Sequence, residues 1–267
     1  MGIQFDFKDS YNVADLLRIM QILRAPGGCP WDAEQNHDSI KKNLIEETYE
    51  VIEAINKQDS AMLCEELGDV LLQVVFHTCM ETEAGGFTFD DVADGICKKL
   101  IERHPHVFGD INVKNSEEVL SNWDAIKRRT KGQANQSSAM NSVPRELPAL
   151  MRAEKIQSKA KKAGFDWPDI SGAIEALEKE VAELKQSLAQ NDGHAVDELG
   201  DVMFSAVNVA RFLNVDAEET LTKATDKFVG RYVKVEALAS ERGIVMTEQP
   251  LEELDKLWAE AKTTESN

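Results

Sequence analysis

Apolar residues recur at helical spacing along nearly the whole chain. The 3.6-type period runs through residues 12–24, 39–57, 60–84, 88–103, 116–130, 150–163, 170–190, 194–213, 216–241 and 250–262, and it predicts a helix over each. Strand-like alternation is nearly absent. The breaks fall at "APGGCP", "AGGF", "RHPHVFGD", "AGFDWPD", "NDG" and "ERGIV", where glycine, proline and asparagine interrupt the pattern. The expected class is all-α.

One stretch has no period. Residues 131–144, "KGQANQSSAMNSVP", are small and polar, and they read as a linker between a module over 1–130 and a module over 145–267. The two sides repeat each other in order. "EETYEVIEAI" (46–55) matches "KEVAELKQSL" (179–188), and "EELGDVLLQV" (65–74) matches "DELGDVMFSA" (197–206). "KKLIERHPHV" (98–107) matches "DKFVGRYVKV" (226–235), and "EEVLSNWDAIK" (117–127) matches "EELDKLWAEAK" (252–262). Four matches in one frame indicate a duplicated helical module.

The repeated segments carry acids in an unusual place. With a helix turning about 100° per residue, Glu50 lies roughly 60° to one side of Glu47, and Leu44, Val51, Ile52 and Ile55 occupy the other side. Glu66 and Asp69 stand in the same relation to Leu63, Val70, Leu71 and Val74. The second half repeats this with Glu180 and Glu183, then with Glu198 and Asp201. The carboxylates edge the apolar stripes rather than oppose them. Two such helices, joined by a short turn and packed antiparallel, bring four carboxylates to one rim. That many like charges need a counter-charge, and hard oxygen donors suit Mg²⁺, with Mn²⁺ as the second choice. Gly68 and Gly200 interrupt these helices at a cost of about 1 kcal/mol each relative to alanine. They are expected to admit a close neighbour, either a helix or a ligand.

Charge and composition narrow the function. The chain has 267 residues and a net charge of −18, which argues against a nucleic-acid or anionic-membrane surface. A polyphosphate remains a possible ligand if divalent cations stand between it and the acids. The apolar runs are shorter than a membrane span. The start, "MGIQFDFKDSYN", lacks the pattern of a signal peptide. Cys29, Cys64, Cys79 and Cys97 form no CxxC pair, which fits a reduced cytoplasmic protein.

ExxE, a short spacer and ExxD on adjacent helices resemble the all-α nucleoside triphosphate pyrophosphohydrolases. The two-module layout, "GCPWDAEQNHDSI" (28–40) and "LPALMRAEKIQSKAKKAGFDW" (147–167) resemble the MazG family in particular. The resemblance implies an enzyme that hydrolyses nucleoside triphosphates, ribo- and deoxy- with broad base tolerance, to the monophosphate and pyrophosphate. It implies a homodimer built from tandem helical bundles. It gives Glu180, Glu183, Glu198 and Asp201 as Mg²⁺ ligands and catalytic acids, Lys227 and Arg231 as phosphate contacts, and Trp258 as an aromatic against the base. It favours the second module as the working one.

The residues alone leave alternatives open. Lys227 and Arg231, four apart, also fit an ordinary solvated edge, and Trp258 also fits a core position. Asn208 follows Asp201 by seven residues on the same face, to bond a ligand or to bridge two helices. The first module keeps Glu47, Glu50, Glu66 and Asp69, with Lys99, Arg103 and Trp123 in matching places, but Pro105 is expected to end its basic helix early. His104 and His106 flank that proline as a loop cap. A non-catalytic helical adaptor that binds a nucleotide or a protein partner is the competing reading.

Overall fold

A computed structural model of the chain describes residues 5–119, 122, 123, 126 and 136–263, and among them it contains helices and turns but no strand. The chain divides into two compact units, Met1–Lys127 and Arg128–Asn267. In the first, α1 is Val13–Arg24, α2 Pro30–Glu34, α3 His37–Lys57, α4 Ser60–Glu83, α5 Phe89–Arg103 and α6 Pro105–Phe108. The second holds α7 (Gln136–Asn141), α8 (Ala149–Lys162), α9 (Ile170–Gln190), α10 (Ala195–Phe212), α11 (Ala217–Glu241) and α12 (Leu251–Thr263).

The helix starts follow the chemistry of the sequence. Asn12, Asn36 and Thr88 close capping boxes at α1, α3 and α5, with Asp15, Ser39 and Asp91 as the reciprocal partners. Asp59, Asp169 and Asp216 cap α4, α9 and α11 with a side-chain oxygen. The acid-bearing helices α3 and α9 end alike. Gln58 has φ 55° and Asn191 has φ 51°, left-handed residues that turn the chain back at once. In the second unit Asp192 tightens this turn by accepting from the Ser187 hydroxyl and, at 2.9 Å, from the His194 amide. The pairs α3–α4 and α9–α10 therefore pack as hairpins and are the most extensive helix contacts of their units.

Each unit has its own core. Met20, Ile40, Val75, Phe76, Cys79 and Met80 form the first, with Leu16, Leu17 and Phe89 against it. Arg24 ties its periphery. Its guanidinium donates to both Glu83 carboxylate oxygens at 2.8 Å and to the carbonyls of Asp32 and Gln35, so α1, α2 and α4 share one cation. In the second unit Val235, Ala239, Leu257 and Ala261 join α11 to α12.

The structure departs from the sequence pattern in four places. Residues 136–141, inside the expected linker, form a short helix against α8, with Ala139 and Val143 buried. Residues 131–135 lie outside the described ones. α2 and α6 are single turns started by proline, too short to show a period. The apolar stripes of the hairpins are only half covered: Ala54 and Ala173 are fully buried, but Ile52, Ile55, Leu188 and Met203 are exposed. Finally, a Cβ built on Gly68 or Gly200 meets no atom within 4 Å among the described residues, so none of the described helices requires either glycine.

Pro105 ends α5 as expected, directly after Arg103 and His104. The matching helix α11 runs uninterrupted past Arg231 to Glu241. His104 Nδ1 lies 2.6 Å from the Leu100 carbonyl, and its ring meets Trp123 edge-on, which is the behaviour of a loop cap.

Candidate metal centre and adjoining cavity

The hairpins bring the acids together twice. One oxygen each from Glu47, Glu66 and Asp69 lies within 4.8 Å of the others, and so does one each from Glu180, Glu183 and Glu198. All six side chains are half-buried. The fourth acid of each set stands beside its cluster: the charge of Glu50 acts on Glu66, and that of Asp201 on Glu180. Helix geometry explains the convergence. ExxE and ExxD put each pair one turn apart on the edge that faces the partner helix.

Crowding shows in the proton affinities. Glu47 and Glu66 are raised above the ordinary carboxylate value, first by partial burial and then by neighbouring acids. Glu180 is raised by burial and by Glu183. Glu183 moves the other way, because Lys179 donates to it at 2.9 Å. Lys179 was not singled out in the sequence, although its spacing of four from Glu183 marks the pair. Clusters of half-buried carboxylate oxygens, in which Glu47, Glu66 and Glu180 hold their protons more tightly than usual, fit a divalent cation, since a cation relieves the repulsion that a proton otherwise relieves.

The basic and aromatic candidates occupy the other helix pair of this unit. The Arg231 guanidinium lies 6.0 Å from the Trp258 ring centre, and Phe228 packs against the same ring at 5.0 Å. Trp258 is half-buried against the α11–α12 core, and Lys227 is exposed. Arg231 and Trp258 are thus brought together on α11 and α12, and Glu180, Glu183 and Glu198, with Asp201 beside them, on α9 and α10.

A cavity of about 640 Å³ opens beside the second acid cluster, and Glu180 and Asp201 stand in its wall. Phe165 and Trp167, from the loop between α8 and α9, also line it. Gly172 lets the indole lie against α9, since a Cβ there would come within 2.8 Å of the ring. Arg211 forms the polar floor. Its Nη1 donates to Asp166 at 3.0 Å, and its Nε and Nη2 donate to Asn208 Oδ1 at 3.0 and 2.7 Å. Asp166 is lowered on balance: burial pushes it up, and the Arg211 bonds and charge outweigh burial. Asn208 therefore faces the cavity as part of a polar bridge. Gln157, Asp166 and Arg211 were missed in the sequence because their partners lie 45 or more residues away.

Residues 35–108 and 170–235 match the family model described as the MazG nucleotide pyrophosphohydrolase domain, once in each unit. The chain is 47% identical over 248 residues to the nucleoside triphosphate pyrophosphohydrolase/pyrophosphatase MazG of Thermotoga maritima, covering 93% of this chain and 94% of that one. It is 43% identical to the nucleoside triphosphate pyrophosphohydrolase of Escherichia coli K12, over 94% of this chain and 97% of the relative. The protein of that name from Mycobacterium tuberculosis is 34% identical over 85% of this chain and 58% of its own length.

Proposed function

Since the chain belongs to the MazG nucleotide pyrophosphohydrolase family, we propose that it hydrolyses nucleoside triphosphates to the monophosphate and pyrophosphate with Mg²⁺, tolerating many bases and both sugars. The observation that carries this reading is the convergence of Glu180, Glu183 and Glu198 within 4.8 Å.

Glu180, Glu183, Glu198 and Asp201 are the residues that would hold the cation, with Mn²⁺ as a substitute. Bound there, a divalent cation would neutralise the triphosphate and acidify a water for in-line attack on phosphorus. The protein supplies the rest. α9 and α10 fix the acids on a hairpin, so that no reorganisation is needed when the phosphates arrive. Arg231, packed on Trp258, and exposed Lys227 are the phosphate contacts of this reading. Trp258 itself offers a ring face that accepts any base. A carboxylate beside the cluster takes the proton of the attacking water.

The reading places catalysis in the module over 145–267. Val196, Leu199 and Met203 on α10, with Leu188 on α9, are exposed apolar residues that support a second copy covering this hairpin in a homodimer. Four free cysteines support a cytoplasmic location. No helix among the described residues is long and apolar enough to cross a membrane.

The test is product analysis. Purified protein with Mg²⁺ and mixed nucleoside triphosphates releases pyrophosphate, and Glu198→Gln abolishes the release while helical circular dichroism persists. Glu66→Gln retains most of it. Orthophosphate as the sole product would exclude the reaction, and nucleotide that binds and stays intact would indicate an adaptor.

A further inference from the structure

Several exposed ion pairs join side chains one helical turn apart. Glu53–Lys57, Asp94–Lys98 and Glu219–Lys223 place the acid toward the N-terminus, the order that a helix favours. Lys179–Glu183 runs the other way round. The reversed order adds little to the helix, and an exposed pair adds little to the fold. Its location gives it another use.

Lys179 stands on α9 at the candidate metal centre. Its Nζ lies 2.9 Å from Glu183 Oε1, and its charge also reaches Glu180 and Glu198. These are the three acids whose oxygens converge. Lys179 holds its proton more tightly than usual, first through its bond to Glu183 and then through the charges of Glu183, Glu180 and Glu198. One ammonium therefore answers the whole cluster and not a single neighbour. The first unit lacks this group, because Glu46 stands at the matching position.

A protonated lysine has three donors and no lone pair, so it cannot join a metal shell. Lys179 and a divalent cation compete for the same carboxylate. The lysine side chain is 67% exposed, so its head can let go of Glu183 without repacking the helix. Once released, it stays tethered beside the acids as a compact, strongly hydrated charge, which suits phosphate oxygens.

We propose that Lys179 is the resident counter-ion of the second acid cluster, paired with Glu183 until Mg²⁺ enters and handed to the triphosphate when it arrives. The proposal rests on the triphosphate reading above and adds a positioning residue to it. Two consequences of opposite sign follow from the one charge. Bare metal is held weakly, because it must displace Lys179 and then sit beside a like charge. Metal with triphosphate is held firmly, because the same charge has become a partner. The site thus favours the metal–nucleotide complex over metal alone.

Two binding measurements on the full chain test this, both in a Glu66→Gln background that weakens the first cluster. In one, Mn²⁺ alone is titrated into metal-free protein, and the free ion is read by electron paramagnetic resonance. In the other, calorimetry follows inorganic tripolyphosphate at saturating Mg²⁺. Lys179→Met is expected to bind Mn²⁺ about three- to tenfold more tightly and tripolyphosphate about three- to tenfold more weakly. Lys179→Gln should do the same, and Lys179→Arg, which keeps the charge, should stay close to wild type in both. Circular dichroism and a melting curve establish that each variant is folded. An ordinary surface ion pair leaves both affinities unchanged, and local damage weakens both; either result overturns the proposal. Both affinities are read without turnover, so their failure is distinct from the absence of pyrophosphate that overturns the hydrolytic reading.

Discussion

Lys179 Nζ stands 2.9 Å from Glu183 Oε1, so the second acid cluster carries its own cation. The matching position in the first unit is Glu46, which adds to the repulsion on Glu47. The two clusters share a plan but not a charge balance. A raised carboxylate is destabilising once ionised: the folded protein holds that proton to a higher pH than the unfolded chain, so stability falls as pH rises through the folded value. At neutral pH without metal, Glu180 is therefore a liability. Glu180→Gln should raise the metal-free melting temperature. It should also remove the rise of about 5–10 °C that Mg²⁺ at a hundredfold excess over its Kd gives the wild-type protein. Scanning calorimetry with and without Mg²⁺ checks both.

The first unit contains a second proton-sensitive pair. His37 and His77 place their Nδ1 atoms 2.8 Å apart in rings tilted by only 2°, and His37 Nε2 donates to Glu81 at 3.0 Å. With its Nε2 proton committed to Glu81, a neutral His37 accepts at Nδ1, so His77 donates from Nδ1 and its buried Nε2 is left bare. Burial, and then the charge of His37, lower the proton affinity of His77. Below about pH 6.5 the unfolded chain therefore takes up a proton that the folded one resists, and stability is lost as pH falls. Urea midpoints at pH 7.5 and 5.5 should show a smaller drop for His77→Gln than for the wild type.

The Arg211 side chain is 8% exposed and that of Asp166 16%, although Asp166 as a residue lies at the surface. Asp166→Asn leaves the guanidinium short of its counter-charge and should destabilise the protein by about 1–2 kcal/mol. Chemical denaturation gives the number. Arg211→Met removes the partner charge together with the clamp on Asn208. It should raise KM for nucleotides even where the fold survives.

Gly200 offers a cleaner discrimination. Its surroundings among the described residues are open, so Gly200→Ala should stabilise the metal-free protein by about 0.5–1 kcal/mol through helix propensity alone. A fall in kcat/KM in that stabilised variant identifies the glycine as room for ligand. Unchanged turnover leaves it without that role.

Most of the architecture was legible because long amphipathic helices repeat every 3.6 residues. The starts expected at 60 and 170 are kept at Ser60 and Ile170, and the ExxE and ExxD spacings beside the apolar stripes were enough to bring the acids to one edge. What escaped the sequence was non-local. Arg24 and Glu83 are 59 residues apart, Asp166 and Arg211 are 45 apart, and His37 and His77 are 40 apart, and no period connects them. The coverage of Leu188 and Met203 was equally hidden, since a hydrophobic pattern says that a face wants a partner and not whether the same chain provides one.

Pro105 halts α5 just beyond Arg103, whereas α11 carries Arg231 onward into the Val235 and Ala239 contact with α12. An arginine in mid-helix is braced by turns above and below; one in a final turn has a turn on one side only. Two siblings drawn from one ancestral blueprint thus meet different mutational fates. Damage to the tail of α11 unpicks the hydrophobic seam and strands Arg231 together, whereas the same damage beyond Arg103 costs the first unit little. Heritable variation should accordingly gather in the shorter arm, and there the chain is free to diverge.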